Sequence, residues 1–157
     1  MKTMKNIIAI ALLSLFSFSS LFAQEIASCD ATTIKNELKA ELKPDYKYDS
    51  SKITRYTTSG DFQGKEIEVP LFEGEKYRLV FNITDADKNF QVYVYSEKAG
   101  TKNRKALFAL KNVREEGKSV YVYEPEGQSK LYITYVIPPS LEGVKESCAA
   151  FMLGYKF

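Results

Sequence analysis

The sequence lacks histidine and tryptophan and has only two cysteines among its 157 residues. Without histidine the chain cannot build a Ser-His-Asp triad, a Cys-His pair or a histidine-ligated metal centre. It also has no Cys-x-x-Cys pair, no Gly-x-Gly-x-x-Gly fingerprint and no phosphate-binding P-loop. Tryptophan would be the best ring for stacking on a sugar. These absences predict a protein that is not an enzyme and needs no cofactor.

The N-terminal segment has the pattern of an export signal. A short basic stretch, Met1–Lys5, precedes an apolar run from Ile7 to Phe22 and the small residue Ala23. It resembles bacterial Sec signal peptides, and we expect cleavage after Ala23. The apolar run is short for a membrane span. The predicted organisation is therefore a signal peptide at residues 1–23 and a single domain at residues 24–157.

The predicted mature chain has no excess of positive or negative charge. The leader's charged residues are Lys2 and Lys5, so cleavage leaves 20 basic and 20 acidic residues. A formal net charge of zero gives no electrostatic footprint for nucleic acid or anionic lipid. The small basic cluster Lys102–Lys105 is expected to be solvated. We therefore expect a periplasmic or secreted protein without a nucleic-acid partner and without an integral membrane span.

The two cysteines, Cys29 and Cys148, are expected to form a disulfide, because an even count in an exported chain favours one. The bond would close a loop of about 120 residues, which the chain-entropy model values at about 4–5 kcal/mol. As an alternative, Ile26–Cys29 could be a lipobox with a lipidated cysteine. The charged Glu25 before it, and the single thiol that would remain at Cys148, argue against that alternative.

One helix is predicted, at residues 30–43. Asp30 would be its N-cap and Pro44 would end it. Its apolar residues recur at spacings of three and four, as a one-sided stripe: Ala31, Ile34, Leu38 and Leu42. Residues 44–51 have the composition of a loop.

Strands are predicted for the rest of the chain from period-two alternation and from β-branched or aromatic composition. The predicted ranges are residues 52–58, 65–72, 76–83, 90–95, 106–110, 119–123, 129–137 and 148–156. Because no helices separate these strands, the chain is predicted to be all-β, an antiparallel, jelly-roll-like sandwich of about eight strands. A barrel is the less favoured alternative.

The segment Leu71–Ile83 is predicted to be the central hairpin, with Gly74 in its turn. Together with Val69 and Pro70 it resembles a hairpin of bacterial pre-peptidase C-terminal domains and of the related GOLD-like sandwiches. The similarity extends over about residues 67–137, with Asp85–Tyr95 and Leu131–Val136 in the place of later family strands. These families are non-catalytic accessory or cargo-binding modules, so the resemblance implies a binding or structural domain.

Tyrosine is the most distinctive residue of the chain, with 11 copies. In Val92–Tyr95 and in Val120–Tyr123 valine alternates with tyrosine. If the valines face the core, four tyrosines point outward as a possible binding face: Tyr93, Tyr95, Tyr121 and Tyr123. A phenol ring with a polar tip suits a protein or glycan surface. Alternatively, these tyrosines are ordinary strand residues or are covered by the helix or a loop.

Two further patterns carry weaker predictions. Asp85, Asp87 and Asn89 place oxygens as at the start of an EF-hand loop, which makes them a weak calcium candidate. The loop departs from that pattern, with Phe90 where the EF-hand has glycine. Glu66 and Glu68 share one strand face at a spacing that acid–base chemistry could use, but a solvent-exposed face is the commoner outcome.

The sequence as a whole predicts a non-catalytic, exported binding module. Its tyrosine-bearing sheet face would engage an extracellular or envelope protein or a polymer such as a glycan. The alternative is a structural or stress-related envelope protein without a dedicated ligand site. Exposure of the four tyrosines distinguishes the two.

Overall fold

The computed structural model describes residues 29–111, 117–140, 143 and 145–157. The predicted signal peptide and most of the alternative lipobox lie outside these residues. Helix α1 spans Ala31–Leu42. The strands are β1 (Lys47–Thr57), β2 (Gln63–Pro70), β3 (Lys76–Asn82), β4 (Gln91–Tyr95), β5 (Ala106–Leu110), β6 (Val120–Tyr123), β7 (Lys130–Ile137) and β8 (Glu146–Lys156).

The eight strands form two four-stranded sheets. The first sheet has the order β1-β8-β3-β6 and the second the order β2-β7-β4-β5. Every pairing is antiparallel. The predicted fold class, an antiparallel β-sandwich with one N-terminal helix, is confirmed.

The main core lies between the two sheets, and strand β7 shows how it forms. Alternate residues of β7 are fully buried: Leu131, Ile133, Tyr135 and Ile137. They meet the inward face of β8, where Ala149, Phe151 and Leu153 are also buried in the same cluster. Because each strand alternates its side chains between two faces, one apolar face per sheet is enough to build this core.

Helix α1 covers the outer face of the first sheet and makes a second, smaller core. The predicted stripe is confirmed for Ile34, Leu38 and Leu42, which are buried, whereas Ala31 is half-buried. They pack in one cluster with sheet residues on the opposite side from the main core: Val80, Cys148, Ala150 and Met152. As predicted, Asp30 is the N-cap, and its carboxylate accepts a hydrogen bond from the Thr32 amide at 3.0 Å. The helix therefore adds a third layer on one side only.

The prediction of a loop at residues 44–51 is wrong from Lys47 onward, where β1 begins. Strand β1 pairs with β8 from Lys47, opposite Tyr155, to Thr57, opposite Glu146. Residues 47–50 are exposed, so the backbone ladder stabilises this part of the strand. Its sequence therefore carries no apolar alternation from which a strand could be predicted.

The prediction of a hairpin at Leu71–Ile83 is also wrong. Strand β2 ends at Pro70 in the second sheet, whereas β3 begins at Lys76 in the first. The residues between them cross from one sheet to the other. Gly74 turns the chain with φ of 86°, and the Tyr77 hydroxyl accepts a hydrogen bond from the Phe72 amide at 3.0 Å. Two alternating strands around a glycine look the same in sequence whether they pair or face each other.

Candidate functional site

The predicted disulfide is present and joins the residue before the N-cap of α1 to β8. Cys29 and Cys148 are bonded, with their Cα atoms 5.9 Å apart. The Cys29 amide donates a hydrogen bond to Asp85 Oδ2 at 2.7 Å, and Arg55 donates to the Cys29 carbonyl at 3.3 Å. Both cysteines are buried. This corner is therefore tied covalently and by hydrogen bonds to three separate parts of the fold.

Both carboxylates of the predicted calcium loop accept hydrogen bonds from backbone amides of the protein. Asp85 accepts from Cys29 across the fold, while Asp87 accepts a hydrogen bond from the Asn89 amide at 2.8 Å. The ligand atoms of Cys29, Asp85 and Cys148 lie within 4.8 Å of one another. The cysteines are, however, disulfide-bonded and offer no thiolate. This geometry gives the calcium prediction no support.

The four tyrosines of the predicted binding face do not share a surface. In β4, Val92 and Val94 are buried while the tyrosines between them are half-exposed, as predicted. In β6 the parity is reversed, because Tyr121 is 7% exposed and Val122 is 40% exposed. Moreover, β4 and β6 belong to different sheets. The expectation that Tyr121 and Tyr123 point outward is wrong.

Register explains the reversal in β6. Tyr121 lies opposite Phe81 and Tyr123 opposite Leu79, and directly opposed residues point to the same face of a sheet. Phe81 and Leu79 belong to the main core, so both tyrosines turn inward. Both valine and tyrosine occur in protein cores, so the alternation in β6 does not by itself show which of the two faces inward.

A different group of tyrosines occupies the outer face of the second sheet, and we call it the tyrosine face: Tyr93, Tyr95 and Tyr132. Tyr95 lies directly opposite Tyr132, and Tyr93 opposite Thr134. All three rings are half-buried. Helix α1 packs on the strands of the other sheet, so this face lies on the side of the sandwich that the helix leaves open.

Arg104 fixes the loop between β4 and β5 against the tyrosine face. Its guanidinium carbon lies 3.6 Å from the centroid of the Tyr95 ring. The same group forms an ion pair with Glu66 at 2.6 Å and donates to the Glu97 carbonyl at 2.6 Å. A cation on a ring face and a carboxylate together hold the loop more firmly than either contact alone.

Two rings of the tyrosine face stack on each other, and each has a cation over its ring. The centroids of Tyr93 and Tyr95 are 6.0 Å apart and their planes differ by 21°. Arg104 lies over the Tyr95 ring, and Lys111 lies over the Tyr93 ring with its Nζ 5.8 Å from the ring centroid. The Tyr93 hydroxyl donates to Gln91 at 2.6 Å. The rings are thus preordered.

Glu66 is linked to these rings through Arg104. It accepts hydrogen bonds from the Ala99 amide at 2.9 Å, from Arg104 at 2.6 Å and from the Thr134 hydroxyl at 3.0 Å. Partial burial acts to raise the pKa of Glu66, but these three donors together hold it below its ordinary value. Glu68 is paired separately with Lys130 at 2.6 Å. Because each carboxylate has its own cation, the pair is not arranged for joint acid–base chemistry.

We expect Glu66→Gln to lower the free energy of unfolding by about 1 kcal/mol at pH 7, since it removes charge-assisted hydrogen bonds. A depressed pKa in the folded state stabilises above the unfolded-state pKa, and this stability is lost as pH falls through the folded pKa. The difference from wild type should therefore shrink below about pH 4.5. Urea unfolding across pH measures it.

Glu68→Gln is the matched control for this prediction. The Glu68–Lys130 pair is exposed, with side-chain exposures of 53% and 43%, so its loss should change the free energy by less than about 0.5 kcal/mol. Equal effects of the two substitutions, or a Glu66→Gln effect independent of pH, would contradict the assignment.

Sequence reasoning missed two members of this site. Arg104 belongs to the basic cluster that was expected to be solvated, and its partner Glu66 is distant in sequence, so nothing local indicated the contact. Tyr132 could have been found, because it alternates with the buried residues Leu131 and Ile133.

A small cavity lies near the disulfide. It has a volume of about 160 Å³, below the roughly 300–1,000 Å³ of typical small-molecule sites. Its lining comprises Cys29, Arg55, Tyr56, Thr57, Glu146 and Ser147. Its size does not favour a ligand site.

Comparisons with known proteins add little. No protein-family model matches the sequence, and no curated protein matches it. Among solved structures, the chain is similar to Aeromonas hydrophila PliG, a periplasmic lysozyme inhibitor of g-type lysozyme. The superposition has a TM-score of 0.43 and 11% sequence identity, covering 68% of this chain and 86% of that one. At these values the likeness carries no argument about function.

Across the residues that the structure describes, no helix has the length and apolar character needed to span a membrane.

Proposed function

We propose that the protein is a non-catalytic, exported binding module that engages an extracellular or envelope protein or polymer through the tyrosine face. The observation that carries this proposal is a stacked pair of half-buried tyrosines, Tyr93 and Tyr95, with Tyr132 opposite Tyr95, on the sheet face that α1 leaves open. Tyrosine provides large contact area at a low cost in conformational entropy and is enriched at binding interfaces. Arg104 supplies a second side chain of the type that dominates interface energetics.

Export is supported by the disulfide and by the predicted leader. Stable disulfides form in oxidising compartments and are rare in the cytosol, and Cys29–Cys148 is formed here. The basic stretch and the apolar run before Ala23 are the pattern of a signal peptide that is cleaved after Ala23. The intact mass of the exported protein would distinguish this cleavage from lipidation at Cys29.

The absence of enzymatic activity is part of the same proposal. The sequence contains no histidine, and the carboxylates of the tyrosine face are each neutralised by a cation. The resemblance to pre-peptidase C-terminal and GOLD-like domains remains a prediction that agrees with a binding role. A structural or stress-related envelope protein is the second candidate, since tyrosines at half-exposed strand positions need no ligand.

The test compares binding by wild type with binding by a variant that carries Tyr93→Thr, Tyr95→Thr and Tyr132→Thr. Threonine keeps the β propensity of these positions while removing the rings. Envelope and medium fractions are cross-linked to each protein, and bound proteins and polysaccharides are quantified. We expect the variant to bind the partner of the wild type at least about tenfold more weakly, which is the effect of losing an interface hot spot.

Tyr48→Thr is the matched control, because Tyr48 is 51% exposed but lies on β1 of the other sheet. It should leave partner binding unchanged. Circular dichroism establishes that both variants are folded. Identical partner sets for the triple variant, the control and wild type would exclude the tyrosine face and favour the structural role.

A further inference from the structure

Strand β5 is an edge strand that carries neither a charged residue nor a proline between Ala106 and Leu110. In the part of the chain that the structure describes, β5 pairs with β4 on one side and has no strand on the other. All five residues from Ala106 to Leu110 are apolar, and all are exposed or half-exposed. Leu107, at the register shift opposite β4, is 38% exposed. Such an edge presents unpaired backbone groups to any strand that fits.

The other three edge strands differ from β5. Strand β1 carries charged residues along its length, and β2 carries Lys65, two glutamates and Pro70. Charges and proline are the common devices that prevent pairing at an edge. Strand β6 has only four residues. An apolar, five-residue edge therefore stands out at β5.

Charge at the two ends of β5 points to the chemistry of its partner. Lys105 precedes the strand and Lys111 follows it, and both are exposed. Neither lysine forms an ion pair with a described residue. An added strand of matching length would place one of its residues opposite each lysine, and an acidic residue there would be stabilising.

A second copy of the same chain fits this edge poorly. The antiparallel self-pairing that overlaps the whole strand is centred on Phe108. It places Lys105 of one copy opposite Lys111 of the other, at both ends. Like charges directly opposite each other destabilise a strand pair.

We propose that β5 binds an extended segment of a partner protein as a fifth strand of the second sheet, and that this segment is apolar at its centre and acidic at both ends. The inference rests on the proposed binding function and names the class of partner. Backbone hydrogen bonds would supply affinity and the terminal charges would set the register. The added strand would extend the sheet whose outer surface is the tyrosine face.

The probe is the blocked heptapeptide EVTVTVE, whose ends would lie opposite Lys105 and Lys111. The comparison peptide is KVTVTVK, which replaces two attractive cross-strand pairs by two repulsive ones. We expect about tenfold tighter binding of the acidic peptide at low salt and a smaller preference at high salt. Amide hydrogen exchange should show new protection at residues 106–110 and none at residues 63–70 of the β2 edge.

The variant Lys105→Glu with Lys111→Glu should reverse the preference between the two peptides. Lys52→Glu, on the exposed part of β1, is the control and should leave it unchanged. Failure of both peptides to bind at millimolar concentration, protection away from β5, or equal binding of both peptides would overturn the inference. So would a concentration-dependent dimer with β5 protected in sedimentation and exchange experiments. If only the peptides fail while the triple tyrosine variant still loses its partner, the proposed function stands without this edge.

Discussion

Removal of the Cys29–Cys148 disulfide is expected to lower the free energy of unfolding by about 2–5 kcal/mol. The two cysteines are 119 positions apart in sequence, so the bond restricts nearly the whole unfolded chain and lowers its conformational entropy. It also anchors the start of α1 to β8, next to the buried stripe of the helix. Since a single domain is stable by only about 5–15 kcal/mol, this loss is a large fraction of the total.

Urea unfolding of a Cys29→Ala, Cys148→Ala variant measures the effect, with tyrosine fluorescence as the probe because the chain has no tryptophan. Alanine avoids placing a new hydroxyl at either buried position. Wild type in reductant should approach the variant, and the variant itself should not respond to reductant. An unchanged urea midpoint for wild type whose bond is shown by thiol titration to be reduced would contradict the prediction.

Phe81→Ala is expected to cost about 3–5 kcal/mol, the usual range for removing a buried aromatic ring. Phe81 is fully buried on β3, and its ring stacks on Phe108 of β5 with centroids 5.7 Å apart. Phe108 in turn stacks on Tyr123 of β6 at 5.1 Å. These three rings join the two sheets along one side of the sandwich, so we also expect faster amide exchange in β5.

Phe72→Ala is the matched control for Phe81→Ala, because it removes the same ring from a side chain that is 68% exposed. It should change the free energy of unfolding by less than about 0.5 kcal/mol. Similar losses for the two substitutions would show that the aromatic stack does not stabilise the fold as described.

The features that could be predicted from sequence are those in which one face of an element is strictly apolar. Ile34, Leu38 and Leu42 recur at helical spacing, and the structure buries all three. The alternation of Phe151 and Leu153 in β8 likewise placed them in the main core. The disulfide followed from counting, since two cysteines allow a single pairing.

The features that could not be predicted depend on long-range pairing. Which residues of β6 face inward was decided by its register with β3, because Tyr121 lies opposite Phe81. The contact between Arg104 and Glu66 depends on β2 and β4 both flanking β7. The exposed start of β1 is held by backbone pairing with β8. These pairings and contacts join residues that are distant in sequence, so a short stretch of sequence cannot predict them.

The order of strands within the sheets has a consequence for how the protein is made. In the described fold only β4 and β5 are neighbours both in sequence and in a sheet, and β8 pairs with both β1 and β3. The first sheet therefore cannot close until the chain has been synthesised through Lys156. Folds dominated by such distant pairings form in milliseconds to seconds rather than microseconds. A nascent chain that has not yet reached β8 lacks the strand that joins β1 to β3, so its first sheet stays incomplete.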